Sequence, residues 1–328
     1  MNGRPRRQRG IALLVALLTV ALATILIAGL LDRGELAFAR TRNALRAEQA
    51  DAYAQGLESY AAQVLAKDLS DDPNTDSNSD IWAAPLPPQE VPGGVISASA
   101  RDLNGCFNLN NLSSAGNPST WRPIFQNLLN VRGVDPAVAD AVVAWLDSSA
   151  DGSADTIDSY YLSLPVPYRS AKRSFAHVSE LRLVRGVGSD AYARLAPYVC
   201  ALPPGSTLNV NTASVPVLQA IVANLSQAQA ESLWQNGTAH WNMESFKGQL
   251  QQLGLPLPPL IETVVGTAST YFLARGDINL DGVPFTFYSL IERRTGQGGG
   301  IRVIERSRGS DDALVAPVLT QQAADSMR

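Results

Sequence analysis

"RPRRQRGIALLVALLTVALATILIAGLLD", residues 4–32, decides the fold, because four arginines, a glycine and 21 uncharged residues follow one another in that order. From Ile11 to Leu31 only Thr19, Thr24 and Gly29 interrupt a run of aliphatic residues. At about 1.5 Å per residue, a helix of this length covers roughly 30 Å, the hydrocarbon thickness of a bilayer. Arg4, Arg6, Arg7 and Arg9 precede it, which holds the N-terminus on the cytoplasmic side and sends the rest of the chain across. A secretory signal has a shorter apolar core, ~7–15 residues, and a small-residue cleavage site after it. Here the run is longer, and Asp32, Arg33, Gly34 and Glu35 follow. The suitable small residue lies ahead of the run instead. Cleavage after Gly10 removes the basic leader and leaves an apolar helix that begins at Ile11. An uncleaved single-pass anchor is the other reading of the same residues.

The helical pattern does not stop at the membrane boundary. From Asp32 to Leu69 there is no proline, and Ala50, Tyr53, Ala54, Leu57, Tyr60, Ala61, Val64 and Leu65 recur at three- and four-residue spacing. "LSDDPNTDSNSD", 69–80, ends the pattern with acids, Ser, Asn and Pro73. One helix over 11–69 is about 88 Å long. Its first half suits lipid or a helical bundle, and its second half suits a lid over a soluble core. The proline-rich stretch 81–93 reads as an irregular connector, and 93–112 as a strand pair or a strand plus turn. From Pro118 to Ala201 the pattern is helical. In "STLNVNTASVPVLQAIVANL" Asn209 and Asn211 lie in an extended entry, and Thr212 is expected to cap the next helix. Short helices continue to about Ala274. "STYFLARGDIN", "VPFTFYSLIERR" and "GIRVIERSR" are three β-rich runs joined by Asp-Gly and Gly-rich turns, an antiparallel meander.

This order of elements is similar to an α+β pilin-like fold: a long N-terminal helix packed on a small antiparallel sheet, with a large inserted all-helical domain. The expected divisions are a leader at 1–10, a transmembrane and assembly helix at 11–31, and the first part of the pilin-like domain at 32–112. The inserted helical domain follows at 113–268, the C-terminal strands at 269–308 and a flexible tail at 309–328. Two unrelated tandem domains are the alternative, which leaves 93–112 without partners.

Composition narrows the function. The 328 residues carry a formal charge of −4, and losing residues 1–10 with their four arginines leaves −8. Such a body is a poor nonspecific ligand for nucleic acid or anionic lipid. The two cysteines, Cys106 and Cys200, both follow the apolar span and so reach an oxidising compartment, where a disulfide is favoured over two buried thiols. Closing a loop of about 95 residues contributes roughly 4–5 kcal/mol in the chain-entropy model.

The Gly10–Ile11 junction resembles a prepilin-type signal. Together with "DLNGCFNLNNL" at 102–112, "AWLD" at 144–147, "VSELRLVRGV" at 178–187, "LNVNTA" at 208–213 and "YSLIERR" near the C-terminus, it makes the chain resemble the GspK minor pseudopilins of the type II secretion system. The resemblance covers most of the chain. It implies a bacterial inner-membrane protein with a cytoplasmic N-terminus and a periplasmic body. Processing by a prepilin peptidase is implied at Gly10 and Ile11, as is a non-catalytic role capping or initiating the pseudopilus. The implied partners are other minor pseudopilins, the major pseudopilin and the inner-membrane assembly platform. Most prepilin-type helices carry a glutamate at the fifth mature position, where it neutralises a neighbour's free amine. Here that position is Val15, a departure that GspK-like proteins share. A carboxylate with no neighbour to serve is costly in hydrocarbon, which suits a tip subunit.

Other motifs point to narrower sites. "WLDSSADGSADTIDSYY", 145–161, holds Asp147, Asp151, Asp155 and Asp158. Hard cations such as Ca²⁺ take 6–8 oxygen ligands from such loops. EF-hand spacing is not met, but the resemblance implies calcium binding in the helical domain; a solvated acidic loop is the alternative. "DINLDG", 277–282, opens like an EF-hand loop, but Tyr288 stands at its twelfth position and a hairpin turn fits better. "LRLVRGVGSDAYARLAPYV" resembles a helix-hairpin-helix element with Gly186 and Gly188 at the hairpin. Arg182, Arg185 and Arg194 nearby keep open a second function class, a membrane-anchored DNA-uptake receptor, against which the acidic charge weighs. His177 and His240 stand 63 positions apart with no catalytic motif around either, so a third class, a lipid-anchored periplasmic hydrolase, finds little support.

Overall fold

A computed structural model describes residues 8–147, 153–295 and 299–309. The expected leader (save its last three residues) and all but the first residue of the tail lie outside these. The chain divides into two compact units, Met1–Tyr53 and Ala54–Arg328.

The first unit is helical throughout its described part. Helix α1 runs Gln8–Asp71, so its N-terminal part makes up this unit. Every residue from Ile11 to Leu31 is exposed. Two hydroxyls in this stretch turn back onto the helix: Thr19 donates to the Ala16 carbonyl at 2.9 Å and Thr24 to that of Val20 at 2.8 Å. The helix thus satisfies its own polar groups, as a segment in lipid must.

The second unit opens with residues 54–71 of α1. A short 3₁₀ turn, Ile81–Ala83, leads into strands β1 (Leu86–Val91) and β2 (Gly94–Asp102), and β3 (Phe107–Asn108) follows. Helices α2 (Pro118–Val131), α3 (Val138–Leu146) and α4 (Ser153–Leu162) come next, then a 3₁₀ helix at Val178–Leu183, α5 (Ser189–Leu195) and β4 (Val199–Cys200). After β5 (Leu208–Asn209) come α6 (Val215–Ile221), α7 (Gln227–Trp234), α8 (Met243–Gln252), α9 (Pro259–Glu262) and β6 (Val265–Gly266). The chain then forms β7 (Tyr271–Leu280), β8 (Val283–Arg294) and β9 (Gly300–Arg308).

Five strands make one antiparallel sheet in the order β1-β2-β7-β8-β9. Its central partners β2 and β7 are separated in sequence by the whole helical block, and a two-residue turn at Asp281–Gly282, φ 49° and 81°, joins β7 to β8. That left-handed pair is the twist-matched hairpin turn that Asp-Gly favours. On one face Leu65 of α1 packs with Trp82, Phe272, Ala274 and Ile291. At Gly276 a Cβ would stand 2.9 Å from Leu57 Cδ1, so glycine lets the helix lie close on the strand.

The proline-rich stretch is not an irregular connector. Leu86–Val91 is the edge strand β1, and its ladder shifts between Leu86 and Gln89, around Pro87 and Pro88. An edge strand has one side without ladder partners, where a missing proline N–H costs nothing.

The helical block is two copies of one plan. "FNLNNLS" at 107–113 and "LNVNTAS" at 208–214 open the halves. In each, the first asparagine side chain accepts from the backbone N–H two residues on: Asn108 from Asn110 at 3.1 Å, Asn209 from Asn211 at 2.9 Å. In each, the second asparagine clamps both backbone groups of a distant aromatic residue. Asn110 accepts from Phe175 N at 2.7 Å and donates to its carbonyl at 3.0 Å; Asn211 does so with Trp241 at 2.7 and 2.9 Å. Each half closes with a strand parallel to its opening strand, β4 on β3 and β6 on β5. One continuous core runs through both halves, including the buried Phe107, Trp121, Phe125, Leu218 and Phe246. Thr212 is not the expected cap. Ser214 stands at the N-cap of α6, and the Thr212 hydroxyl donates to Asp102 instead.

Candidate functional site

The apolar segment is the first candidate. Side chains of an isolated water-soluble helix with 21 uncharged, exposed residues would be a large apolar surface, and such surfaces mark membrane or protein contacts. Ile11 is 65% exposed and Val15 53%. The helix passes through the Gly10–Ile11 junction without a break. It is long and apolar enough to cross a membrane.

The acidic run is the second. Asp147 sits at the C-terminal end of α3, exposed and in extended conformation. Asp151 and the side chain of Asp155 lie outside the described residues. Asp158 is buried on α4, and its carboxylate is already filled. Oδ1 accepts from the Ser170 amide at 3.1 Å and hydroxyl at 2.8 Å, while Arg169 and Lys172 approach Oδ2 at 3.4 and 3.6 Å. The Ser170 hydroxyl and amide, with the two cations behind them, hold the Asp158 carboxyl below the usual carboxylate range despite its burial. A metal ion at this carboxylate would have to displace two basic side chains, so Asp158 does not fit as a ligand.

The third is a polar cluster that joins the sheet to the helical block. Arg293, at the end of β8, is almost wholly buried. Its guanidinium donates to Asp68 on the last turns of α1 at 2.9 Å and to both oxygens of Asp76 at 2.5 Å. Asp76 also accepts from the Ser269 amide at 2.7 Å. Nearby, Asp102 at the end of β2 accepts from the Asn104 amide at 2.7 Å, the Ser269 hydroxyl at 2.7 Å, Asn209 Nδ2 at 3.2 Å and Thr212. Burial pushes Asp102 up to about 6, although Thr212, Ser269 and the Asn104 amide pull it down. Burial also pushes Asp68 up to about 6; Arg293 opposes this, and the charges of Asp76 and Asp80 reinforce it. Carboxylate oxygens of Asp68, Asp76 and Asp80 come within 4.8 Å of one another, but the Arg293 guanidinium binds two of the three, so the group is an ion-pair network. Sequence reading missed this cluster entirely.

Cys106 and Cys200 form a disulfide, with Cα atoms 5.9 Å apart, beside the β3–β4 pairing that closes the first half. Both histidines have structural positions. His177 caps the 178–183 helix: its Nδ1 accepts from the Ser179 amide at 3.1 Å, and Glu180 accepts in return from the His177 amide at 3.2 Å. His240 Nδ1 lies 3.1 Å from the Ser77 hydroxyl. In the hairpin element Gly186 takes the left-handed turn, φ 85°, while Gly188 precedes α5 in extended conformation. Its arginines fold back on the chain. Arg182 lies over the Tyr192 ring and Arg185 over that of Tyr160, and Arg194 donates to the Gly133 carbonyl at 2.8 Å.

Comparison with known proteins agrees with this architecture. Family models described as type II secretion system, protein K match residues 105–204 and 208–266, which coincide with the two halves of the helical block. A type II secretion system protein K from Pectobacterium carotovorum is 34% identical, over 92% of this chain and 97% of the relative. One from Pseudomonas aeruginosa is 36% identical, over 93% of this chain and 94% of the relative. The crystal structure of the GspK-GspI-GspJ complex from enterotoxigenic Escherichia coli matches with a TM-score of 0.67 and 27% identity, covering 83% of this chain and 99% of that one. With its long apolar helix, antiparallel sheet and paired helical halves, this chain belongs to the type II secretion system protein K family and is a GspK-type minor pseudopilin.

Proposed function

We propose that the chain enters the bacterial inner membrane with its arginines inside and is cut after Gly10 by a prepilin peptidase. Its helix, now beginning at Ile11, then leaves lipid to pack beside the helices of other subunits. The observation that carries this reading is the order of the opening residues: a basic leader, Gly10, and then 21 uncharged residues that all face outward. By analogy with the three-protein complex of its structural neighbour, two other minor pseudopilins bind it at the tip, with the major pseudopilin below. The body, periplasmic in this reading, caps or initiates the pseudopilus by contact and performs no chemistry. Gly10→Ala is expected to abolish maturation. Immunoblots of cells carrying that variant should show only the larger precursor, and a mature-sized, N-methylated product would remove the processing step from this proposal.

Calcium is a second part of the proposal, narrowed by Asp158. The acidic loop supports it through Asp147, Asp151 and Asp155, which offer the hard oxygen ligands Ca²⁺ takes. A ligand that binds only the folded state raises Tm by mass action. Added calcium should therefore raise Tm in the intact protein and lose most of that effect in the Asp147→Ala/Asp151→Ala double variant. Equal melting with calcium and with chelator would end the calcium reading. Asp158→Ala, by contrast, should cost about 1–3 kcal/mol whether or not calcium is present, because it strands the buried donors of Ser170.

A further inference from the structure

The cluster around Arg293 carries more negative charge than its single guanidinium can balance. Four carboxylates converge there: Asp68 from α1, Asp76 and Asp80 from the 72–80 segment, and Asp102 from β2. Asp68, Asp76 and Asp102 are buried and Asp80 half-buried. His240 from the helical block stands 3.8 Å from Asp80 and is itself half-exposed. Lys67 faces outward to Asp71 and adds no cation here, and the Asp72 carboxylate accepts from the Asn74 amide. The remaining partners of Asp102 are neutral donors from the helical block and its connections: Asn104, Asn209, Thr212 and Ser269. Arg293 Nε is buried with no hydrogen-bond partner, so the guanidinium is held at its outer nitrogens by the two carboxylates and by the Ser269 carbonyl at 3.2 Å. Burying uncompensated charge is costly, and a proton is the smallest group that removes it.

We propose that this cluster is a proton-operated latch between the sheet and the helical block, which takes up one to two protons on mild acidification and fastens the two parts more firmly. Asp68 and Asp102 are the groups that take them. Both are raised above their ordinary value, to about 6. The folded state therefore holds protons that the unfolded chain releases, and this contribution is full below the unfolded value near 4 and is lost as pH rises through about 6. Glu58 and Glu292 lie below their ordinary value, where arginine partners override burial, so their contributions fade only at lower pH. Between neutral and mildly acid conditions the latch sets the sign.

The test is the melting temperature of the full-length protein in detergent at about pH 7.5 and about pH 5.5. The wild type should melt roughly 3–5 °C higher at the acid end. Asp68→Asn should remove about half of that gain and Asp68→Asn/Asp102→Asn all of it, while Asp71→Asn, in the exposed pair with Lys67, should leave it intact. A wild-type Tm that is flat or falls on acidification overturns the latch, as does a gain that survives the double substitution. If Asp102→Asn prevents folding, infrared difference spectra of the wild type decide the matter. A protonated-carboxyl band must appear between the two conditions and shrink in Asp68→Asn, and its absence overturns the proposal.

Discussion

Arg293→Met is expected to destabilise the protein by about 3–5 kcal/mol, a large part of the ~5–15 kcal/mol that holds a domain together. The substitution keeps the aliphatic stem but removes the one arginine, among the described residues, that contacts Asp68 and Asp76, both buried. It also removes the cation held 4.7 Å from the Phe272 ring centroid. Each carboxylate then stays out of water without a counterion, which costs more than the pair contributed while intact. The loss should shrink at mildly acid pH, because the stranded carboxylates can accept protons and shed their charge. Chemical denaturation at two pH values measures both effects. A loss below about 1 kcal/mol, or one independent of pH, would mean that water reaches the cluster and that Arg293 is not its keystone.

Replacing both Cys106 and Cys200 with alanine should have the other large effect, roughly 4–5 kcal/mol. The bridge joins residues 94 positions apart, so its removal frees a long loop in the unfolded chain. In the folded state it ties the opening strand of the first helical half to its closing strand, where only two residue pairs, Phe107 with Val199 and Asn108 with Cys200, hold the ladder. The second half closes through Leu208 with Val265 and Asn209 with Gly266 and has no disulfide, so it provides an internal comparison. Hydrogen exchange should rise throughout 107–200 in the double variant and change less over 208–266. Equal loosening of both halves would show that the bridge stabilises the block as a whole.

What could be read from sequence followed from local rules. The long helix was legible because 21 uncharged residues and an uninterrupted spacing of apolar side chains leave few alternatives. The β7–β8 hairpin was legible because Asp281 and Gly282 are the residues that a left-handed two-residue turn requires. β1 was missed because prolines usually mean loop, and only the sheet order reveals that this strand lies at an edge. Thr212 was misread for a similar reason: a hydroxyl just ahead of an apolar helical run reads locally as a cap, but the helix starts later, at Val215, and a buried Asp102, 110 positions earlier, claims the hydroxyl. The latch was out of reach, since Arg293 meets Asp68 across 225 positions and no short motif records that meeting. The doubled plan was within reach. "FNLNNLS" and "LNVNTAS" repeat Asn at the same two places. Comparing these segments with one another would have exposed the two-part block.

In the proposed function, Gly10 marks where the chain is cut, freeing a helix to move from lipid into an assembly. The mass of the N-terminal peptide of the protein isolated from membranes of secreting cells tests it most directly. The expected chain begins at Ile11, with its terminal amine methylated. A functional protein that still carries Arg4, Arg6, Arg7 and Arg9 would contradict it.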